Sequence, residues 1–195
     1  PLYSSAASDV YKRQTQHAFS YSKGVMTDLH SVLASKVNNV NATVANDVNA
    51  EGSIVGNIIT SSGTHPFLYA KNEVTMLGSL SGSVSGSALA INNQAQIVGY
   101  SSISSTKTTH AFLYENGVMN DLNSLLETNK SGWVLTDATA ISNSGFIVGT
   151  GYLNGISHGY LLYPLDKKKR LNVNLSGVGA AVSYTHLRAH ETLMN

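Results

Sequence analysis

Cysteine is absent from this sequence of 195 residues, and proline occurs only 3 times. The absence of cysteine excludes disulfide bonds and metal sites with thiolate ligands. Charged residues are also scarce, at 12% of the chain, and the formal net charge is only +1. Such a balance lacks the positive excess that nucleic-acid binding needs. No apolar run approaches the roughly 18 residues of a membrane-spanning helix, so no span is expected.

Both ends of the chain resemble translated DNA-sequencing adapters and are unlike the residues between them. Residues 4–14 match the translation of a transposase adapter, and residues 182–192 match its partner in reverse complement. The alternative is a natural basic tail at each end. We interpret residues 1–14 and 182–195 as non-native, which removes His186 and His190 from the candidate metal ligands. Residues 15–181 then carry 9 basic and 9 acidic side chains.

A repeat organises the residues between these ends. It opens at four histidines, 48, 45 and 48 residues apart: His17, His65, His110 and His158. A second signature, Ile-Val-Gly, begins at Ile54, Ile97 and Ile147, which are 43 and 50 residues apart. Length variation is therefore expected in the links between constant halves of the unit.

The sequence pattern of each unit predicts four strands. The opening strand alternates over His110–Tyr114, a turn follows at residues 115–117, and the second strand is Val118–Leu122. The third strand is Ala138–Ile141, and the fourth is the Ile-Val-Gly run. Glycine or asparagine ends the turn in three units, as a positive φ requires. Helical periodicity is weak, and only Asp121–Glu127 is predicted as a short helical turn.

Four antiparallel strands in 45 to 48 residues are the size of one β-propeller blade, and propellers contain roughly 4–8 blades. The sequence therefore predicts an all-β, β-propeller-like array of four-stranded antiparallel blades, incomplete at about three blades plus one strand. Residues 15–165 contain the repeats, and residues 166–181 form a basic linker or tail. A β-sandwich is the alternative fold.

The repeat resembles a known family. His110–Leu122 followed by Gly132–Gly151 looks like the HAF repeat, and the resemblance covers Gln16–Pro164. Such repeats occur in bacterial proteins thought to be extracellular or attached to the cell envelope. The family has no established catalytic residues, so the resemblance implies no active site and no cofactor. Pro66 and Gly159 depart from the alanine of the motif.

The histidines that open the units are the most prominent candidates for metal binding or catalysis. Equivalent residues of successive blades lie a blade width apart, so they converge on one metal ion only at the narrowest point of a central channel. We therefore interpret His17, His65, His110 and His158 as structural groups that hydrogen-bond within their own blade.

The acidic residues indicate turns rather than metal-binding or catalytic sites. Asp47–Gly52 resembles the start of a calcium loop, but the equivalents of Asp47 are Ala90 and Ala140, which favours a hairpin turn. Asp28 and Asp121 follow the second strand and are interpreted as turn caps. Met76 takes this place in the second unit, which is degenerate. No catalytic, cofactor-binding or metal-binding residue is predicted.

Two surface features remain candidates for binding. Eight aromatic residues could stack on sugars, although we expect the phenylalanines in the core and only some tyrosines in solvent: Phe19, Tyr21, Phe67, Tyr69, Phe112, Tyr114, Trp133 and Tyr160. The basic run Lys167–Arg170 could contact an anionic polymer or a membrane, but a solvated linker is favoured.

Two function classes follow. The first is a non-enzymatic, secreted or cell-surface repeat protein, a binding or structural scaffold whose variable loops, among them Ser79–Ser87 and Ser101–Thr109, bind an unknown glycan, matrix component or protein. The second is a fragment of a propeller-type carbohydrate-active hydrolase or lyase whose catalytic blades are missing. The units look uniform, which favours the first class.

Overall fold

The computed structural model describes residues 16–80, 85–103, 108–126, 132–163 and 180–181. The first half of the chain contains β1 (Phe19–Ser22), β2 (Val25–Asp28), α1 (Leu29–Ala34), β3 (Val40–Val48), β4 (Ile54–Thr60), β5 (Gly63–Ala70) and β6 (Glu73–Met76). The second half contains β7 (Gly86–Ile91), β8 (Ile97–Ile103), β9 (Thr108–Glu115), β10 (Val118–Asp121), α2 (Leu122–Leu125), β11 (Trp133–Ile141), β12 (Ile147–Leu153), β13 (Ile156–Leu162) and β14 (Ala180–Ala181).

The described strands form four sheets, which confirms the all-β prediction. The hairpin sheet is β1–β2, and sheet I has the order β3-β4-β5-β6. Sheet II has the order β7-β8-β9-β10, and sheet III has the order β11-β12-β13-β14. All neighbours are antiparallel except β14, which pairs in parallel with β13.

The sheets are out of phase with the sequence unit by half a repeat. A unit that opens at His65 supplies the last two strands of sheet I, and its third and fourth strands begin sheet II. The reason is the short link between the Ile-Val-Gly strand and the next histidine strand. Residues 61–62 join β4 to β5 as a tight hairpin, so these two strands pair directly.

The turns that join β1 to β2, β5 to β6 and β9 to β10 have two residues each and positive φ. Lys71 and Asn72 have φ of 52° and 64°, and Asn116 and Gly117 have φ of 53° and 81°. Two successive positive φ values are typical of a type I′ hairpin turn, whose twist matches that of the flanking strands. The predicted requirement for glycine or asparagine at the last place is confirmed.

The glycine of each Ile-Val-Gly run lies beneath a β-bulge. Opposite Gly99, the register of β7 shifts between Ala88 and Ala90, and a Cβ added to Gly99 would lie 1.9 Å from the carbonyl oxygen of Ser87. The same shift occurs in sheets I and III. A bulge bends the strand and brings the two backbones close together, so only glycine fits at this position.

The same glycine pairs with the aromatic residue of the histidine strand. Gly99 lies opposite Phe112 in the register of β8 and β9, and the ring of Phe112 lies 3.0 Å from the place of the missing Cβ. Gly56 and Phe67 form the same pair in sheet I. The two signatures of the repeat are therefore neighbours in space, with the ring covering the glycine.

Each sheet has two different faces, and unlike faces pack together. The valine face contains Val55, Val98 or Val148, and the aromatic face contains Phe67, Phe112 or Tyr160. One apolar cluster joins the valine face of sheet I to the aromatic face of sheet II, and another joins the valine face of sheet II to the aromatic face of sheet III. A third cluster packs Ala18 and the leucines of α1 on the aromatic face of sheet I. The sheets thus follow one another in a stack, with a separate core at each junction.

The turn between the third and fourth strands is built around one polar side chain. Asn92 Oδ1 accepts hydrogen bonds from the backbone N–H groups of Gln94 and Gln96, both at 3.0 Å. Asn49 closes the β3–β4 turn in the same way, and Ser142 Oγ accepts one such bond in the β11–β12 turn. These are local side-chain turns of the kind that asparagine and serine favour.

The same asparagines also bond the next sheet. Asn49 Nδ2 donates to the carbonyl oxygen of Asn92 at 3.1 Å, and Asn92 Nδ2 donates to the carbonyl oxygen of Ser142, also at 3.1 Å. Each bond joins equivalent residues of successive sheets. A serine has no amide to donate, so this row of bonds ends at Ser142 among the described residues.

A second row runs one residue further along the turns. The N–H of Ala50 donates to Asn93 Oδ1 at 3.0 Å, and the N–H of Asn93 donates to Asn143 Oδ1 at 2.9 Å. We call the two rows together the turn ladder. Because each rung joins equivalent atoms, the ladder holds successive sheets at one constant offset.

Helix α1 was not expected from the sequence. The prediction of a helical turn over Asp121–Glu127 is confirmed by α2 at Leu122–Leu125, whereas α1 was missed. In α1, Leu29 and Leu33 are fully buried on one face, as the helical spacing of four residues allows. A helix of only six residues shows too little periodicity for sequence patterns to detect.

The first prediction concerns the glycine beneath the bulge. Gly99→Ala is expected to lower the free energy of unfolding by about 3 kcal/mol or to prevent folding, because the new Cβ overlaps a backbone oxygen. The matched control is Gly159→Ala, whose new Cβ would lie 3.9 Å from the carbonyl oxygen of Gly149 and which is expected to change stability by less than about 0.5 kcal/mol. Equal effects in urea denaturation would contradict the close approach.

The second prediction separates the two roles of Asn92. Asn92→Ser keeps a turn acceptor but loses the Nδ2 bonds to Ser142 in the next sheet and to Gln96 Oε1, so we expect a cost of about 1 kcal/mol. Asn92→Ala loses both, and we expect about 2 kcal/mol. Gln94→Ala, at an exposed side chain of the same turn, is the control. If Asn92→Ser and Asn92→Ala lower the free energy of unfolding equally in a denaturant titration, the division of stability between the turn bonds and the turn ladder is wrong.

Candidate functional site

Links of variable length lie at one end of the strands. Antiparallel order brings together the links that follow β2, β4, β6, β8, β10 and β12. The links after β4, β8 and β12 contain 2, 4 and 2 residues, and the links after β2, β6 and β10 contain 11, 9 and 11. At the opposite end, the three turns after β3, β7 and β11 all contain five residues, and the turns after β1, β5 and β9 contain two. We call the first end the variable end and the second the ladder end. Residues 81–84, 104–107 and 127–131 of the variable links lie outside the described residues.

His110 is paired with an acidic residue at the variable end. Its Nδ1 lies 2.7 Å from Asp121 Oδ2, and both side chains are about one quarter exposed. The other carboxylate oxygen of Asp121 accepts a bond from the N–H of Asn123 at 2.8 Å, which caps α2. The pair lies within sheet II, where the sequence interpretation placed the hydrogen bonds of this histidine.

The first unit repeats this arrangement in a more exposed form. His17 Nδ1 lies 3.4 Å from Asp28 Oδ2, and Asp28 caps α1 by accepting a bond from the N–H of His30. The ring of His30 stacks on that of His17, with centroids 3.9 Å apart. Asp28 and Asp121 therefore both act as helix N-caps, in agreement with the capping role inferred from the sequence.

The other two histidines have different neighbours. Met76 replaces the aspartate in the second unit, and His65 Nε2 instead lies 3.2 Å from Thr60 Oγ1 in the same sheet. His158 packs against the ring of Trp133, with centroids 5.9 Å apart. Each histidine thus contacts residues of its own sheet.

The carboxyl of Asp28 has a lowered pKa. The hydrogen bond from the Ser31 hydroxyl, the largest cause, lowers the pKa of Asp28 below its ordinary value of 3.8, and the N–H of His30 adds to the effect. A lowered pKa stabilises the fold above pH 3.8, and this contribution is lost as the pH falls through the lowered value. The cap of α1 is therefore sensitive to acid rather than to base.

A metal centre is not supported by the described residues. They contain no group of three or more histidine, aspartate or glutamate side chains that could hold an ion. In the segment that resembles a calcium loop, Asp47 Oδ2 accepts a bond from the N–H of Ile91 in sheet II at 2.9 Å. Residues 49–53 form the β3–β4 hairpin turn, as expected. Asp47 thus adds a hydrogen bond between sheets I and II.

The aromatic residues divide between core and surface. Phe67 and Phe112 are fully buried, and Tyr160 and Trp133 are nearly so. Phe19 is 59% exposed, so its expected place in the core is wrong. The physical reason is that no Ile-Val-Gly strand of the described residues lies beside β1.

Tyr160 takes the place of the phenylalanines in sheet III. Its hydroxyl donates to the backbone carbonyl of Asp137 at 2.7 Å. Burial raises the pKa of Tyr160 well above its ordinary value of 10.0, and the charge of Asp137 adds to this. The buried ring therefore stays neutral, and we assign it to the core rather than to a sugar-stacking surface.

Sequence reasoning missed the polar contacts that fix the variable end. Asn123 forms two bonds with the backbone of Leu135, at 2.9 Å from its Nδ2 to the carbonyl and at 2.7 Å from the Leu135 N–H to its Oδ1. His30 Nδ1 lies 3.2 Å from Thr43 Oγ1. An asparagine two residues after a capping aspartate was the available signal for the first contact. The basic run Lys167–Arg170 lies outside the described residues.

Comparison with known proteins gives one match. The profile of a family described as "Protein of unknown function (DUF3466)" matches residues 3–160. No curated protein and no solved structure matches the chain. In the described part of the chain, neither helix has the length and apolar character needed to cross a membrane.

The third prediction tests the cap at the variable end. Asp121→Ala is expected to lower the free energy of unfolding by about 1 kcal/mol, because the first turn of α2 loses its acceptor. Asp121→Asn keeps a capping oxygen and loses only the charge beside His110, so we expect most of the stability to remain. Chemical denaturation at neutral pH measures both. If asparagine costs as much as alanine, the histidine contact rather than the cap dominates.

Proposed function

This chain belongs to the DUF3466 family, a family of unknown function, and we propose that it is a non-enzymatic repeat scaffold that binds its ligand at the variable end. The single observation that supports the proposal is the distribution of variation. Every ladder-end turn keeps its length from sheet to sheet, whereas at the variable end the links after β6 and β8 differ in length from their equivalents. Binding surfaces of repeat proteins are usually formed by variable loops on a constant framework.

The arrangement of the sheets supports a propeller-like array as part of this proposal. Sheets I, II and III begin at residues 40, 86 and 133, so one sheet takes 46 or 47 residues. Successive sheets pack face to face, and equivalent turns meet through the turn ladder. A constant offset between successive four-stranded sheets is what a radial arrangement of blades requires.

The histidine–aspartate pairs support a structural rather than a catalytic interpretation. In the pairs of His17 and His110 the carboxylate also caps a helix. A pair that occurs in both the first and the third unit fits a framework role, because a catalytic group needs to be placed only once. We assign the protein to the bacterial cell envelope or the extracellular space from its resemblance to HAF repeats.

The test uses insoluble glycans as defined probes, with binding measured by co-sedimentation. The protein is mixed with chitin, cellulose or isolated peptidoglycan. Ser61→Arg and Ser124→Arg place a charge at the variable end, and Gln94→Arg places the same charge at the ladder end. We expect both serine variants to weaken binding to at least one glycan by about tenfold, with the control unchanged.

Two results would contradict the proposal. Binding that is lost in Gln94→Arg but retained in the serine variants would assign the ligand to the other end. Release of soluble sugar or unsaturated products from the same glycans would identify an enzyme, in agreement with the hydrolase or lyase alternative. An absence of binding to all three glycans would count against a glycan and in favour of a protein partner.

A further inference from the structure

Two hairpin turns contain an asparagine that is followed directly by glycine, at residues 116–117 and 154–155. Both asparagines have a positive φ, of 53° at Asn116 and 50° at Asn154. The backbone nitrogen of the following residue can attack an asparagine side chain, and a glycine has no Cβ to obstruct that attack. Both turns therefore have the sequence that favours ring closure between side chain and backbone.

The turn at Asn116 leaves both reacting groups free. Asn116 and Gly117 are exposed, and none of the hydrogen bonds among the described residues involves the side chain of Asn116. Glu115 and Val118 pair across the turn, so the hydrogen-bond ladder of β9 and β10 ends before the N–H of Gly117. Nothing in the described part of the chain thus holds the carboxamide of Asn116 away from this nitrogen.

The turn at Asn154 is held by a contact that the turn at Asn116 lacks. The N–H of Asn154 donates to the carbonyl oxygen of Gly132 at 2.8 Å. A Cβ added to Gly132 would lie 2.0 Å from Asn154 Oδ1, so the carboxamide packs against the backbone of Gly132. Turning the carboxamide toward the nitrogen of Gly155 would break this packing.

We propose that Asn116 is a site of spontaneous covalent modification, namely deamidation through a succinimide. The backbone nitrogen of Gly117 attacks Cγ of Asn116 and a C–N bond forms. The side-chain nitrogen leaves as ammonia, with the proton that the glycine nitrogen loses. Water then opens the succinimide ring at either of its two carbonyl groups, which leaves aspartate or isoaspartate at position 116.

Isoaspartate changes the strand that follows the turn. It adds one methylene group to the backbone, and a two-residue type I′ turn closes only with its fixed number of backbone atoms. Strand β10 is an edge strand that pairs only with β9 in sheet II, so it is the strand that loosens. Its last residue, Asp121, contacts His110 and caps α2. Modification at the ladder end is therefore transmitted to the variable end.

The test follows deamidation of the complete chain at mildly alkaline pH, with mass spectrometry of the digested protein. In the folded protein we expect Asn116 to react about tenfold faster than Asn154. In urea, where the contact with Gly132 is lost, the two rates should be similar. Both rates should fall at mildly acidic pH, because the glycine nitrogen has to lose its proton.

Two variants use residues that equivalent turns already contain. Asn116→Lys removes the carboxamide and keeps the turn, because Lys23 and Lys71 occupy this place with φ of 50° and 52°. Gly117→Asn keeps a positive φ, as at Asn72 with φ of 64°, and adds a Cβ beside the attacking nitrogen. We expect Gly117→Asn to slow deamidation at position 116 about tenfold.

Amide hydrogen exchange measures the effect on β10. After incubation, the parent chain should exchange faster in β10 than before, in proportion to its isoaspartate content. Asn116→Lys, incubated in the same way, should keep the exchange rates of the fresh protein. Unchanged exchange in β10 of the modified parent chain would contradict the transmission to the variable end.

Two results would overturn the proposal as a whole. The first is equal deamidation of Asn116 and Asn154 in the folded protein, since the contact with Gly132 would then have no effect. The second is a folded chain in which Asn116 stays intact while the chain in urea deamidates there, because the folded turn would then protect the side chain.

Discussion

The structure depends on the close approach of two backbones at the glycine of each Ile-Val-Gly run. At Gly56, Gly99 and Gly149 the bulged third strand places a carbonyl oxygen about where a Cβ would be, at 1.9 to 2.0 Å. An aromatic ring then covers the glycine from the neighbouring strand. This one constraint explains why two sequence signatures, far apart within the unit, recur together.

The same constraint gives the sheets two unlike faces. The bulge turns the third strand so that its alanine lies on the aromatic face, and the valine beside the glycine points to the opposite face. Ala88 and Ala138 are then small enough to let the preceding sheet pack closely. At the ladder end, asparagine side chains fix the offset between sheets. With both packing and offset set by repeated residues, the variable end is free to change in length and composition.

Much of the strand pattern could be predicted from the sequence, because alternation and turn residues are local signals. The hairpin turn at Asn116 and Gly117 and the burial of Phe112 are examples. The pairing of the last strand of one unit with the first strand of the next, as of β4 with β5, could not be predicted, since it depends on how short the link at residues 61–62 is. The exposure of Phe19 could not be predicted either, because its motif is complete and only the absence of an Ile-Val-Gly strand beside β1 among the described residues leaves it exposed. For the candidate site, the capping role of Asp121 followed from its position, whereas the contact of Asn123 with Leu135 joins helix α2 to a strand of sheet III.

The central claim is that successive sheets are joined by equivalent contacts, and amide hydrogen exchange at the ladder end tests it most directly. The N–H groups of Ala50 and Asn93 donate to asparagine side chains of the next sheet, whereas Asn143, the equivalent residue of sheet III, has no such acceptor in a following sheet among the described residues. The account predicts slow exchange at Ala50 and Asn93 and fast exchange at Asn143. Equally fast exchange at all three positions would contradict it.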